Sequence, residues 1–183
     1  MSKAVVFFAP GLEECEALLV VDILRRAGAE VTIAAVGGGH IVHSARGVNI
    51  VADAKAESLD YAGCDCCVLP GGLPGVTNLK ADKIVAKVCQ KFAEQGKLVA
   101  AICAAPTALG AFGVLKGKRA TVYPGMEGEL TGANYTDEPV VVDGNIVTGR
   151  ALGAAIPFAL ELAARLEGQQ AADKVRKAIV YTD

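Results

Sequence analysis

Leu98-Val-Ala-Ala-Ile-Cys-Ala-Ala-Pro-Thr-Ala-Leu109 sets the architecture of the chain. Its first five residues are all apolar, with no polar alternation. That pattern suits a strand buried on both faces, as in a parallel sheet. After Cys103, the run from Ala104 to Leu115 reads as a helix. The cysteine therefore lies at a strand-to-helix junction, on a tight turn that the small neighbours Ala101, Ala104 and Ala105 permit. Such a junction has the form of a nucleophile elbow. Unpaired N–H groups at the helix start would stabilise a thiolate and lower the thiol pKa. A cysteine so placed also serves as a small buried hydrophobe. Position alone leaves both readings open.

The same alternation extends in both directions. Ala4–Ala9 is another apolar run, followed by Pro10-Gly11 and the acidic stretch Glu13-Glu14-Cys15-Glu16. Acidic residues favour a helix's first turn, and this helix runs through Ala17, Leu18, Val21, Leu24 and Arg25 to a stop at Gly28. Strands follow at Glu30–Val36 and Asp65–Leu69, with a helix from about Ala81 to Gln95 before Leu98. Short segments near Ile41-Val42 and Val48–Val51 form an antiparallel excursion. Beyond Leu115, the strand-like segments are Ala120–Tyr123, Val140–Val142 and Ile146–Thr148; helices then cover about Ala154–Leu166 and Ala172–Ile179. Strands alternating with helices predict right-handed crossovers and an α/β class, with helices on both faces of a mostly parallel sheet. Ligands in such sheets bind outside the carboxyl ends of the strands.

The 183 residues suit one domain, 1–183, with no linker or internal repeat. With 52% hydrophobic and 21% charged residues, the composition is that of a folded globular chain. A net charge of -2, with scattered Lys and Arg, leaves no footprint for nucleic acid. The run Ala4–Pro10 is too short to cross a membrane. No secretory signal precedes it, so a cytoplasmic location is expected and the six cysteines are read as reduced thiols.

Three predicted strand ends carry chemistry. Cys103 is one. Pro70-Gly71-Gly72 is the second, where glycines let backbone N–H groups face a pocket as an oxyanion hole or simply make a turn. The third is the turn after the first strand, with Glu16. A buried, protonated Glu16 would donate a hydrogen bond to the sulfur and shuttle protons; a solvated helix start is the alternative for this acidic run. His40 and His43 lie in the excursion, and a Cys–His dyad needs that excursion to fold over the site. Cys64-Asp-Cys66-Cys67 resembles a metal motif, but consecutive strand residues point to opposite faces, so no metal site is assigned. Gly37-Gly38-Gly39 lacks the spacing of a phosphate loop, and no cofactor is assigned.

Taken together, Ala100-Ala-Ile-Cys-Ala-Ala-Pro-Thr-Ala-Leu109, Val68-Leu-Pro-Gly-Gly72 and Ala9-Pro-Gly-Leu-Glu-Glu-Cys-Glu16 resemble the cysteine elbow, glycine turn and acidic motif of the ThiJ/PfpI superfamily. Val21-Asp22, Arg25–Gly28, Ser44-Ala-Arg46-Gly and Thr148-Gly-Arg150 fit as well, so the likeness runs in order over almost the whole chain. It is closest to the branch of the parkinsonism-associated protein deglycase and its bacterial relatives. The resemblance implies a flavodoxin-like three-layer sandwich and a homodimer. It implies cofactor-independent glyoxalase or deglycase activity on 2-oxoaldehydes such as methylglyoxal or their adducts, or a redox-sensing and chaperone-like protective role. Older readings of relatives invoke thiamine biosynthesis or proteolysis. The implied site places Cys103 and Glu16 as the catalytic pair, Gly72 and Ala104 as the oxyanion hole, and Gly71, Arg46, Tyr123 and Arg150 around the pocket. The homodimer has one further argument: Val20, Ile23 and Leu24 give the first helix more apolar surface than one buried face needs.

Two departures stand out. Tyr123 occupies a position where many active relatives carry histidine, and tyrosine is a poor base near neutral pH. Ala151-Leu152 replaces the usual Gly-Pro. Ala104 follows the cysteine where the protease-like branch has a histidine, which disfavours peptide hydrolysis.

Overall fold

Strands with no polar face must be covered on both sides, and the chain supplies helices for each. The computed structural model describes residues 1–182. In chain order it contains β1 (Lys3–Phe8), α1 (Glu14–Ala27), β2 (Glu30–Ala35), β3 (Ile41–His43), β4 (Asn49–Val51), β5 (Ala54–Lys55), β6 (Cys66–Leu69), α2 (Gly75–Ala81), α3 (Lys83–Glu94) and β7 (Leu98–Ile102). Then come α4 (Pro106–Ala111), β8 (Arg119–Ala120), β9 (Asn134–Tyr135), β10 (Val140–Asp143), β11 (Ile146–Gly149), α5 (Ala155–Glu167) and α6 (Gln169–Ala178). The main sheet has seven strands in the order β10-β11-β7-β6-β1-β2-β5. All its pairings are parallel except β10 with β11.

Side-chain alternation divides the core into two layers. Ala4, Val6 and Phe8 of β1 pack with α1, α5 and α6, and Val5 and Phe7 pack with α2, α3 and α4. Cys66 joins the first layer and Cys67 the second, so adjacent thiols face opposite sides of the sheet, as strand geometry requires. The result is the flavodoxin-like three-layer α/β fold expected. The excursion is the antiparallel pair β3–β4. Among the described residues, no helix is long and apolar enough to cross a membrane.

Several elements differ from their sequence reading. The helix read from Ala81 is two helices, broken at Asp82, whose side chain caps α3 by accepting from the N–H groups of Ile84 and Val85. Asp-Lys-Ile-Val is a cap signature that apolar periodicity alone passes over. The helix read over Ala104–Leu115 is only Pro106–Ala111. Proline has no N–H and starts the helix at its first position, and Gly113, at φ 76°, follows the end. Of Ala120–Tyr123 only Ala120 lies in a strand, pairing through β8 with β9, which the sequence reading did not include. Val20, Ile23 and Leu24 are buried within the chain's own core beside α5, and the large apolar residue that α1 exposes is Leu18.

Candidate active site

The chain adds β2 and β5 on one side of β1, then returns to add β6, β7, β11 and β10 on the other. The strand order therefore reverses between β1 and β6, and the connections at the carboxyl ends there splay apart and open a crevice. The segments after β1, β6 and β7 meet in it.

Cys103 ends β7 in a left-handed conformation, φ 64°, which is rare for a residue with a side chain. Two backbone hydrogen bonds hold it there: its N–H donates to the Gly149 carbonyl (2.9 Å), and its carbonyl accepts from the Tyr123 N–H (2.9 Å). Cys103 is half-buried, packed against the core on one side and lining a cavity on the other. Backbone N–H groups of Ala104 and Gly72 converge on the sulfur.

Glu16 sits in the first turn of α1, inside the helix rather than on the turn before it, and is only 1% exposed. The Glu13 carboxylate caps this helix by accepting from the Glu16 N–H (2.7 Å). Glu16 Oε2 accepts from the Gly71 N–H (3.0 Å), and the carboxyl meets the Cys103 thiol. Its other oxygen, Oε1, is buried and accepts from no protein N–H or O–H group. A Cβ on Gly71 would stand 2.5 Å from both Cys103 Cβ and Glu16 Oε2, so only glycine lets the carboxyl and thiol meet. Gly72 is required for another reason: its φ is 92°, and a Cβ would run into the Glu13 N–H.

Burial raises Glu16 to about 7, while hydrogen bonding to Cys103 pulls it down. At Cys103 the helix-start N–H groups, which favour the thiolate, are opposed by burial. Burial first, then the Glu16 charge and hydrogen bond, push Cys103 up to about 12, outweighing the Ala104 and Gly72 N–H groups. A carboxylate and a thiolate repel each other in one apolar crevice. Ionisation of either group therefore opposes ionisation of the other, and the pair holds a proton between carboxyl and sulfur.

The cavity around this pair is about 500 Å³. Of the expected site residues, Cys103, Glu16, Gly72, Ala104, Arg46 and Tyr123 line it. Gly71 lies directly beneath. Arg150 is not in the lining; its guanidinium donates to Asp137 (2.7 Å). Ala151 and Leu152 also line it, at the pocket wall where the family pattern has Gly-Pro; Glu13, Ala45, Leu73, Met126 and Gly153 complete the lining and were not among the expected site residues. Leu73 directly continues the glycine-turn motif, so adjacency was its available signal. Met126, three residues after Tyr123, had none. The excursion does reach the site: the Ala45 N–H donates to the Leu12 carbonyl (2.8 Å). His40 and His43 remain exposed outside the cavity, with His43 Nδ1 2.6 Å from Asn49 Oδ1.

A histidine-free pocket joining a strained cysteine, a buried glutamate and two backbone donors suits covalent chemistry on a small electrophile. Comparison with known proteins finds the same arrangement of the chain elsewhere. Protein dj-1beta of Drosophila melanogaster is 41% identical over 98% of both chains. Its crystal structure superposes with a TM-score of 0.96 at 40% identity, covering all of both chains. The structure named Toxoplasma gondii DJ-1, oxidized, also gives 0.96, at 35% identity over all of both chains. A glutathione-independent glyoxalase of Caenorhabditis elegans, DJR-1.2, is 30% identical over 90% of this chain and 88% of its own length. The DJ-1/PfpI family model matches residues 2–165. With that span and those identities, this chain belongs to the DJ-1/PfpI family.

Proposed function

We propose that the protein is a cysteine-dependent, cofactor-independent glyoxalase-type enzyme acting on 2-oxoaldehydes such as methylglyoxal, with deglycation of their adducts as a variant of the same chemistry. The observation that carries this reading is the buried Glu16 carboxyl against the thiol of the strained Cys103. As sulfur attacks the aldehyde carbon, Glu16 takes the thiol proton. The carbonyl oxygen, held by the N–H groups of Gly72 and Ala104, receives that proton back from Glu16 and becomes the hydroxyl of a hemithioacetal, which leaves Glu16 ionised again. Glu16 then moves the proton from C1 to C2 through an enediol, leaving a 2-hydroxyacyl thioester. Water cleaves it to a 2-hydroxy acid and restores the thiol. C1 is oxidised, C2 is reduced and one water is added, so no external oxidant or reductant is required. Tyr123 need not act as a base, because Glu16 fills that role. The coarser likeness to a glutathione-independent glyoxalase supports this assignment.

The test is lactate formation from methylglyoxal with no thiol added. Turnover is expected for the wild type and lost in Cys103→Ser and Glu16→Gln. Stoichiometric aldehyde loss without lactate would reduce the site to a trap. The homodimer remains part of this proposal, and light scattering showing only monomer at micromolar concentration would remove it.

One observation favours a second reading, redox sensing with protection. The buried Glu16 Oε1 has no hydrogen-bond partner, and once protonated it is free to donate to an oxidised sulfur. Two equivalents of hydroperoxide would convert the thiol to a sulfinic acid and release two alcohols or waters. Intact mass after mild peroxide should then show two oxygens on Cys103 alone. Oxidation spread over all six cysteines would sink this reading.

A further inference from the structure

The cavity is much larger than a three-carbon aldehyde needs. A water's share of liquid volume is about 30 Å³, so methylglyoxal, with five heavy atoms, takes up roughly 100–150 Å³. The cavity holds about 500 Å³.

What surrounds the unused space is apolar. Ten large hydrophobic side chains are exposed among the described residues, and three of them, Leu73, Tyr123 and Leu152, line this one cavity. Their exposures are 59%, 49% and 44%. Single exposed hydrophobes are ordinary on a protein surface. Three converging on one nucleophile from three separate segments mark a surface meant to be covered. Leu73 follows β6, Tyr123 follows β8 and Leu152 follows β11; half-buried Met126 joins them. The charged lining residues are Glu13, Glu16 and Arg46. Glu16 is used against the thiol, and Glu13 caps α1.

We propose, building on the glyoxalase-type reading, that the preferred substrates are 2-oxoaldehydes with a bulky apolar substituent on the ketone carbon, aromatic or branched, and that Leu152, in the wall it forms with Leu73 and Tyr123, determines this specificity. Only the two carbonyl carbons react at Cys103. The substituent leaves C2 toward the Leu73–Tyr123–Leu152 wall, where it displaces water from apolar surface, and an aromatic ring stacks against Tyr123. The reaction balances as before: an arylglyoxal plus water gives an aryl hydroxyacetate and one proton. A gain of roughly tenfold or more in kcat/KM over the methyl compound is the scale expected for such pocket contacts.

The experiment compares initial rates with phenylglyoxal, giving mandelate, and methylglyoxal, giving lactate, on the full chain. The expected ratio of kcat/KM is at least ten in favour of phenylglyoxal. Leu152→Ser should bring that ratio toward one through KM, and Leu152→Met should restore it. Val180→Ser, at a residue exposed outside this cavity, should leave it unchanged. A ratio at or below one, or a ratio indifferent to Leu152→Ser, overturns the proposal. If neither aldehyde is turned over, the glyoxalase reading fails, and specificity is read from reversible adducts. Phenylglyoxal should then protect Cys103 from iodoacetamide at a concentration at least tenfold below methylglyoxal, after correction for their affinities for a small free thiol. Equal protection overturns the proposal independently.

Discussion

Cys103 and Cys67 lie on neighbouring strand segments, and burial raises both thiols above their ordinary range. Their surroundings are otherwise opposite. Cys67 lies mid-strand, wholly buried, with Cys89 Sγ at 4.0 Å as its polar neighbour. Cys103 lies at the strand's end with positive φ, facing a cavity, a carboxyl and two N–H donors. A buried thiol is inert by default. What distinguishes Cys103 is a base to take its proton and donors to receive the charge. The largest expected effect breaks or confirms that contrast. In native-state alkylation mapped by mass, Cys103 should react at least about a thousandfold faster than Cys66, Cys67 and Cys89, which must wait for opening of the fold. Comparable rates would mean that the elbow confers nothing. Cys15, which is exposed, serves as the internal reference for access without a pocket.

Glu16 offers the next largest effect, and its sign follows from burial. Its folded pKa is raised from the ordinary 4.5 to about 7. The stability it contributes is complete below about 4.5, is lost as pH rises toward 7, and stays lost above that. The shift corresponds to about 3 kcal/mol. Glu16→Gln keeps an oxygen for the Gly71 N–H and removes the charge. Denaturant titration at pH 8 should therefore show the variant more stable by about 2–3 kcal/mol, with the difference shrinking toward pH 5. Its turnover should fall by roughly 10²–10⁴. In the wild type, kcat/KM should rise with pH through about 7 as the carboxylate forms, and that limb should vanish in the variant. A variant no more stable at pH 8 would show that the carboxylate is well solvated after all. Gain of stability with loss of activity is the pattern of a site that stores destabilisation for chemistry.

Gly71 sharpens the same comparison from the backbone. Gly71→Ala places a Cβ 2.5 Å from both partners of the pair, which must move apart. Overpacking of this kind costs about 1–3 kcal/mol, and the loss of contact should lower turnover about a hundredfold, as removing general acid–base help does. Gly63→Ala, whose Cβ meets nothing within 4 Å, is the control and should change neither. Retained turnover in Gly71→Ala would mean that Glu16 and Cys103 need not touch.

These residues also show what the sequence could and could not reveal. Unbroken apolar runs at β1, β6 and β7 displayed the buried sheet directly, because burial on both faces leaves no other pattern. Cys103, Glu16 and the glycine turn were legible as strand-end residues and as motifs. The two helices flanking Asp82 merged into one, because periodicity is blind to a single capping residue. Only half of the thiol's electrostatics was legible: N–H donors are visible in a strand-to-helix junction, but the burial and facing carboxylate that oppose them exist only once Glu16 of α1 reaches Gly71 after β6. The apolar wall was legible only at Ala151-Leu152, where the family pattern has Gly-Pro; Leu73 and Met126 join Leu152 only through the β6, β8 and β11 connections.

Arg150 carries the smallest expected effect, and a telling one, since the family pattern placed it at the pocket. Its guanidinium is paired with Asp137, whose side chain is 68% exposed, and it contributes nothing to the cavity lining. Exposed pairs of this kind stabilise by about 1 kcal/mol or less. Yet its backbone N–H donates to the Pro139 carbonyl (2.9 Å), and the next three residues, Ala151 to Gly153, form the cavity wall. Arg150→Ala leaves that backbone bond in place and frees only the side chain. Turnover of methylglyoxal should therefore change less than about threefold, in KM before kcat, with under about 1 kcal/mol lost from stability. A hundredfold loss of kcat would mean that the guanidinium leaves Asp137 and enters the cavity when substrate binds. The wall would then be a moving part, and the contrast between a fixed elbow and an inert sheet cysteine would have to include it.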